Sequence, residues 1–273
     1  MFSTEERTTN FRSALGLLEL IYVSTVRNTR KSHRNALIGL ISNMFQTMIL
    51  VAVFFVFIEV LGMRSMAVRG DFILYLLSGI FLFMTHIKSV GAVFSSEGST
   101  SPMMLHAPMN TAIAIASGAL STLYIQTLSA ATVLFIVHVA WRPVEIHDPV
   151  GVVAMFLLAW GSGVAVGMVF LAMRPFLPGF ASLASMIYKR ANMVASGKMF
   201  LANTLSTSML AMFDWNPLFH IIDQARGFAF INYNPMFTSI EYPVKVAIVL
   251  LMIGLMGEFY GRKKSSLSWS AGK

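Results

Sequence analysis

The sequence predicts an all-α membrane protein with six transmembrane helices, an N-terminal amphipathic helix lying in the interface, and a short outer re-entrant helix before the last span. Three observations carry that prediction. Of 273 residues, 56% are hydrophobic and only 12% charged, about half the charged share of a soluble domain, and the mean hydropathy is +0.70. Arg27, Arg30, Lys31 and Arg34 crowd into two helical turns and are followed by an uncharged run from Ala36 to Ile58. As a helix that run reaches roughly 34 Å, enough to cross a bilayer core. Arg262, Lys263 and Lys264 form a second basic cluster near the other end. Basic residues beside a span stay on the cytoplasmic face, so six spans place both termini inside.

Residues 1–34 read as a cytoplasmic segment. Within it, Leu15, Leu17, Leu18, Ile21 and Tyr22 fall at helical spacing, with Arg12 and Glu19 elsewhere on the wheel. The stretch 11–26 is too short and interrupted to span, so it reads as an interfacial amphipathic helix, the alternative being a cytoplasmic helix packed on the bundle. Residues 35–261 form the membrane domain. Its first span ends near Glu59–Met63, and the charge-balanced loop Arg64–Asp71 faces outward. Phe72–Phe94 is the second span, with His86 and Lys88 toward its inner interface. Ser95–Asn110, rich in Ser and Gly with two prolines around Met103-Met104-Leu105-His106, is a cytoplasmic loop holding one or two helical turns.

Thr111–Ala140 is the third span and Trp141 its outer anchor. Val150–Met173 is the fourth, and its Gly163-x-x-x-Gly167 lets a neighbouring helix approach closely, for internal packing or for a subunit interface. A fifth span is placed at about Met186–Leu210, its basic start, Lys189 and Arg190, near the inner surface. Asp214–Pro235 is too polar for a lipid-facing span and too apolar for a loop. Asn216-Pro217 supplies a cap and a first-turn proline, so a short amphipathic or re-entrant helix starts there on the outer side. Val244–Tyr260 is the last span, and residues 262–273 form a basic cytoplasmic tail.

The chemistry is sparse. There is no G-x-x-x-x-G-K-[ST] phosphate loop, so any ATP-driven step needs a separate subunit carrying ATP and Mg, and this chain binds no cofactor itself. The six histidines are scattered without a metal-ligand pair, and there is no cysteine. The net charge of +8 is accounted for by lipid headgroups and topology, without nucleic acid. Gly161-Ser162-Gly163 superficially looks like an intramembrane nucleophile, but spacing places no histidine base beside it. His220, Asp223 and Arg226, three apart, form the one ordered polar set, either as a satisfied interfacial face or as a gate. Lys198 lies in an apolar stretch with no acid within helical reach; such a charge usually faces a water-filled path or a partner.

The order of these features resembles the membrane subunit of ABC-2 type exporters of capsular or O-antigen polysaccharides, over about residues 11 to 262. Asn35-Ala36-Leu37-Ile38-Gly39-Leu40 is similar to the family's opening of the first span, and Tyr75-Leu76-Leu77-Ser78-Gly79-Ile80-Phe81 to its second-span segment. Leu105-His106-Ala107-Pro108-Met109 resembles its ATPase-coupling loop. Ser196-Gly197, Asn216-Pro217-Leu218 and Asp223-x-x-Arg226 resemble its closing motifs. Three positions depart from the pattern: Ser42-Asn43 in place of Trp-Pro, Asp223 in place of Glu, and Lys198 in a normally apolar stretch.

The resemblance implies a permease in the inner membrane that works as a homodimer with a second copy of itself. Two ATP-binding cassette subunits drive it, the substrate is a polysaccharide or glycolipid, and a periplasmic co-polymerase or adaptor is a further partner. It implies no bond chemistry on this chain. It assigns Met103, Met104, Leu105, His106 and Pro108 to ATPase coupling, and Trp215, Asn216, Pro217, His220, Asp223 and Arg226 to an outer gate helix. On this reading Lys189, Arg190 and Lys198 line the translocation path. Export of teichoic acid, lipid or drug is the alternative within the class. A membrane-embedded glycosyl- or acyltransferase is the alternative outside it, and would need a carboxylate or histidine pair at a membrane face.

Overall fold

The computed structural model describes residues 10–31, 36–60, 72–97, 110–140 and 143–271. All the regular structure among them is helical. The helices are α1 (Asn10–Lys31), α2 (Ala36–Val60), α3 (Phe72–Phe94), α4 (Thr111–Ala140), α5 (Pro149–Met173), α6 (Pro178–Ala195), α7 (Thr207–Phe213), α8 (Pro217–Ala229) and α9 (Glu241–Ala271). Among the described residues four stretches are long and apolar enough to cross a membrane: Phe72–Phe94, Thr111–Ala140, Pro149–Met173 and Glu241–Gly261. Among the described residues α2 contributes a shorter apolar stretch, Ile41–Val53. The 18-residue α6 carries Lys189 and Arg190 and is not among the four.

α3 is the axis of the bundle. It is buried almost without interruption from Leu74 to His86 and packs against α2, α4, α5, α6 and α8. Its side chains Tyr75, Leu76, Ile80 and Phe83 meet Leu218, Ile221, Ile222 and Ala225 of α8 in the main apolar core. α3 also carries Ser78, Thr85, His86 and Ser89, all buried, and polar side chains in a span turn toward the bundle interior and away from lipid.

Glycines set the α3–α5 distance. A Cβ on Gly163 would lie 2.5 Å from the backbone oxygen of His86, and one on Gly167 would lie 2.8 Å from Val93 Cβ. Gly163-x-x-x-Gly167 therefore serves packing inside one chain, the close approach that small residues permit. α9 lies along the other side of α5.

α1 runs beside α4, tied by Asn28 Nδ2 donating to Ser117 Oγ at 2.9 Å. Its Leu15, Leu18 and Tyr22, one helical face, remain exposed. That is the amphipathic face read from the sequence, with its apolar side turned away from the rest of the chain.

The largest departure lies after α5. No single helix covers Met186–Leu210: α6 starts earlier, at Pro178, and stops at Ala195. Gly197 then takes a positive φ of 73°, the left-handed conformation that ends helices at glycine. A Cβ there would also strike the Phe219 ring at 2.4 Å. A single 3-10 turn at Ala202–Thr204 and the short α7 follow. Hydrophobicity alone reads this stretch as continuous because the break is made by tertiary partners, described next.

Candidate functional site

The polar centre of the membrane region is built from side chains that three apolar helices turn toward one another. Asn43 and Thr47, one turn apart on α2, are both buried. Lys88 of α3 donates its ammonium to the side-chain oxygen of Asn43 and, at 2.8 Å, to Gln46 Oε1. Gln126 Nε2 of α4 donates to the same Asn43 oxygen at 3.1 Å. That oxygen thus accepts from two donors, while Asn43 Nδ2 is buried with no acceptor among the described residues.

Asn43, Gln46, Lys88 and Gln126 line a cleft of about 500 Å³, whose wall also includes Thr122 and Lys189. Among its described lining residues there are two lysines and no carboxylate. A second cavity of about 410 Å³ adjoins it, sharing Ala92, Thr122 and Ile125 and carrying Glu97 and Asn28. The cleft sits toward the end of the bundle where α3 stops, the end at which Arg174 donates to the carbonyls of Phe94 and Ser96 at 3.0 and 3.3 Å. Cations in such a place cost free energy unless a counter-charge or water reaches them.

The residues assigned to an outer gate helix do form a helix, α8, with the start that the sequence indicates. Asn216 Oδ1 accepts from Leu218 N at 3.0 Å and Pro217 occupies the first turn, an N-cap followed by proline. The Asn216 amide also donates to Asn192 Oδ1 and Ala195 O, at 3.0 and 2.8 Å, closing the end of α6. α8 is packed into the interior of the chain. Phe219, Ile222, Asp223 and Arg226 are all buried, and only Trp215 before it is widely exposed.

His220, Asp223 and Arg226 bind the stretches on either side of α8: Asp223 and Arg226 the one after α6, His220 and Asp223 the one before α9. Asp223 Oδ1 accepts from Tyr233 Oη at 2.6 Å and Ala202 N at 3.2 Å, and Oδ2 from Thr238 Oγ1 at 2.8 Å. Burial pushes the Tyr233 hydroxyl pKa up, and the Asp223 carboxylate pushes it the same way, so the phenol keeps the proton it donates. Arg226 forks onto Gly197 O (2.9 Å), Phe200 O (2.7 Å) and Lys198 O (2.6 Å). His220 meets Asp214 O at 2.6 Å and accepts at Nδ1 from Ser239 N at 3.1 Å. Asp223 and Arg226 are thus a clasp: they satisfy the backbone that the break after α6 leaves without helical partners. The polar set finds its partners within the chain itself.

The residues assigned to a path are spread apart. Lys189 lines the cleft and Arg190 is exposed. Lys198 is only 1% exposed, with its ammonium on Met193 O and 4.1 Å from the centroid of the Phe83 ring. Burial within one chain can only deepen on association, so Lys198 does not face an open path in this conformation. Met103, Met104, Leu105, His106 and Pro108 lie outside the described residues.

A histidine does stand beside Ser162, contrary to the reading by spacing. His86 Nδ1 is 3.0 Å from Ser162 Oγ and its Nε2 is 2.8 Å from Tyr188 Oη. His86 is wholly buried, and Ser162 donates to Ala159 O at 3.0 Å. This is a polar tie between α3, α5 and α6. Sequence reasoning did not single out the Lys88–Asn43–Gln126 network. Its signal was present as amides inside otherwise uncharged spans, the residue type that marks function in membranes.

No protein-family model matches the chain, and no curated protein matches it.

Proposed function

We propose that the chain is the membrane subunit of an ABC-2 type exporter. In this reading a homodimer forms the channel for ATP-driven export of a lipid-linked polysaccharide across the inner membrane, and separate ATP-binding subunits hydrolyse the ATP. Export of teichoic acid, another lipid or a drug is the alternative within the same class. α2 and α6 complete six membrane passages, with both basic ends cytoplasmic. The cleft between α2, α3 and α4 then opens toward the cytoplasmic half, where cargo would be loaded.

The observation that supports this best is the interrupted passage after α6. A helix ends at Ala195 inside the bundle, and Arg226 clasps its freed carbonyls to the short α8. α8 ends beside the start of α5, where Asp148 N donates to Phe228 O at 2.8 Å. A broken, internally satisfied passage is tolerated in a membrane where it lines or frames a cavity, as in transport proteins.

The test is the loop between α3 and α4, the segment assigned to ATPase coupling. Export is measured in cells carrying the double substitution Met104→Asp and Leu105→Asp. Charge in an apolar socket should abolish export at normal expression, while ATP hydrolysis by the co-purified partner persists. Unchanged export overturns the assignment.

A further inference from the structure

We infer that the cleft between α2, α3 and α4 binds a phosphate-bearing anion, carried by a lipid headgroup or present as free phosphate. The inference deepens the transport reading and rests on it for taking the anion to be cargo; the binding itself stands on the cleft.

The cleft holds more donors than acceptors. An ammonium has three N–H groups, and Lys88 meets two acceptors, Asn43 Oδ1 and Gln46 Oε1. Asn43, 5% exposed, leaves Nδ2 without an acceptor among the described residues. Lys88 keeps one N–H group for a ligand oxygen in the cleft. Lys189 adds a second cation on the same wall.

The other ligand classes fit worse. A metal cation needs carboxylates, and none lines the cleft among its described residues. A neutral sugar is commonly gripped by an aromatic face, and the described lining has no aromatic residue. An apolar chain would leave the charges of Lys88 and Lys189 without a counter-charge. A phosphate offers several acceptor oxygens and a charge close to that of two lysines, and lysine binds it as a point charge. The volume of about 500 Å³ lies within the usual range for a small-molecule site, with room for a headgroup.

The test uses the purified full-length chain in neutral detergent, with native mass spectrometry as readout. Phosphatidic acid, a diacylglycerol with the same acyl chains, and oleate are titrated in parallel, and inorganic phosphate is added as competitor. Phosphatidic acid should be preferred over diacylglycerol by about tenfold or more, and Lys88→Met or Lys189→Met should each remove about tenfold of that preference. Displacement by millimolar phosphate would show that the phosphate alone is read, and resistance to it that a lipid headgroup is; either result supports the site.

Equal binding of phosphatidic acid and diacylglycerol overturns the inference. So does oleate binding as well as phosphatidic acid, or a preference that survives in the Lys88→Met, Lys189→Met double variant. Should Lys88→Met fail to fold, Lys189→Met, outside the amide network, carries the comparison. Loss of the preference in the wild-type chain with export intact refutes the site alone. A clear preference with export unaffected by Met104→Asp and Leu105→Asp refutes the coupling assignment alone.

Discussion

The guanidinium of Arg226 lies over the ring of Tyr75, its carbon 4.1 Å from the ring centroid, while its nitrogens reach three backbone oxygens in Gly197–Phe200. One side chain therefore joins α3, α8 and the break after α6. Nearby, the backbone of Gly79 in α3 leaves space for that fork: a Cβ there would lie 2.8 Å from Arg226 Nη2.

The first prediction follows from that joint. Arg226→Met leaves the carbonyls of Lys198 and Phe200 without their donor, while Gly197 O keeps Phe200 N at 3.3 Å, and each unsatisfied group costs about 1–3 kcal/mol. The variant should lose about 2 kcal/mol or more, read as a lowered midpoint in thermal unfolding of the detergent-solubilised protein. Arg226→Lys should rescue little, because an ammonium cannot reproduce the fork. An unchanged midpoint for Arg226→Met would remove the clasp from the account.

The α3–α5 contact gives a matched pair of substitutions. Gly163→Val places a methyl-bearing carbon where His86 O and Ser89 Cβ stand 2.5 and 2.9 Å from an ideal Cβ, while a Cβ on Gly161, on the same helix, meets nothing within 4 Å. Forcing the helices apart costs about 1–3 kcal/mol. Gly163→Val should therefore lower the unfolding midpoint, and Gly161→Val should leave it nearly unchanged. Equal effects at both positions would mean that the glycines do not set the helix spacing.

Much of this architecture was legible in the sequence. The apolar runs gave α3, α4 and α5 nearly to their ends, because length and the lack of charge are local properties. Val244–Tyr260 gave only part of α9, which runs on to Ala271 through the basic stretch that the sequence reads as a tail. Asn216-Pro217 gave the start of α8 for the same reason: the cap is local. The break at Ser196-Gly197 was not legible, since its stability comes from Arg226, 29 residues away from Gly197 along the chain. The meeting of His86 with Ser162 is likewise a product of packing, at a separation of 76 residues. The cleft lay hidden for a different reason. Asn43, Gln46 and Gln126 are uncharged and barely disturb a hydropathy profile, and only the bundle brings them to one lysine.

The last prediction separates the two lysines that the sequence assigned to one path. The chain contains no cysteine, so a single introduced thiol reports its own exposure. Lys189→Cys should react readily with a water-soluble maleimide, because Lys189 lines the cleft. Lys198→Cys should react at least about tenfold more slowly, because that site is reached only through local opening of the bundle. Its surroundings argue for this: Lys198 lies against Phe83 and the carbonyl of Met193, next to the carbonyls that Arg226 holds. The measurement also decides which of the two lysines is open to an anion. Fast labelling at position 189 with protection at 198 keeps the cationic surface in the cleft between α2, α3 and α4. Labelling of Lys198→Cys as fast as Lys189→Cys would mean that the α6 break opens in solution, and would return Lys198 to a water-filled path.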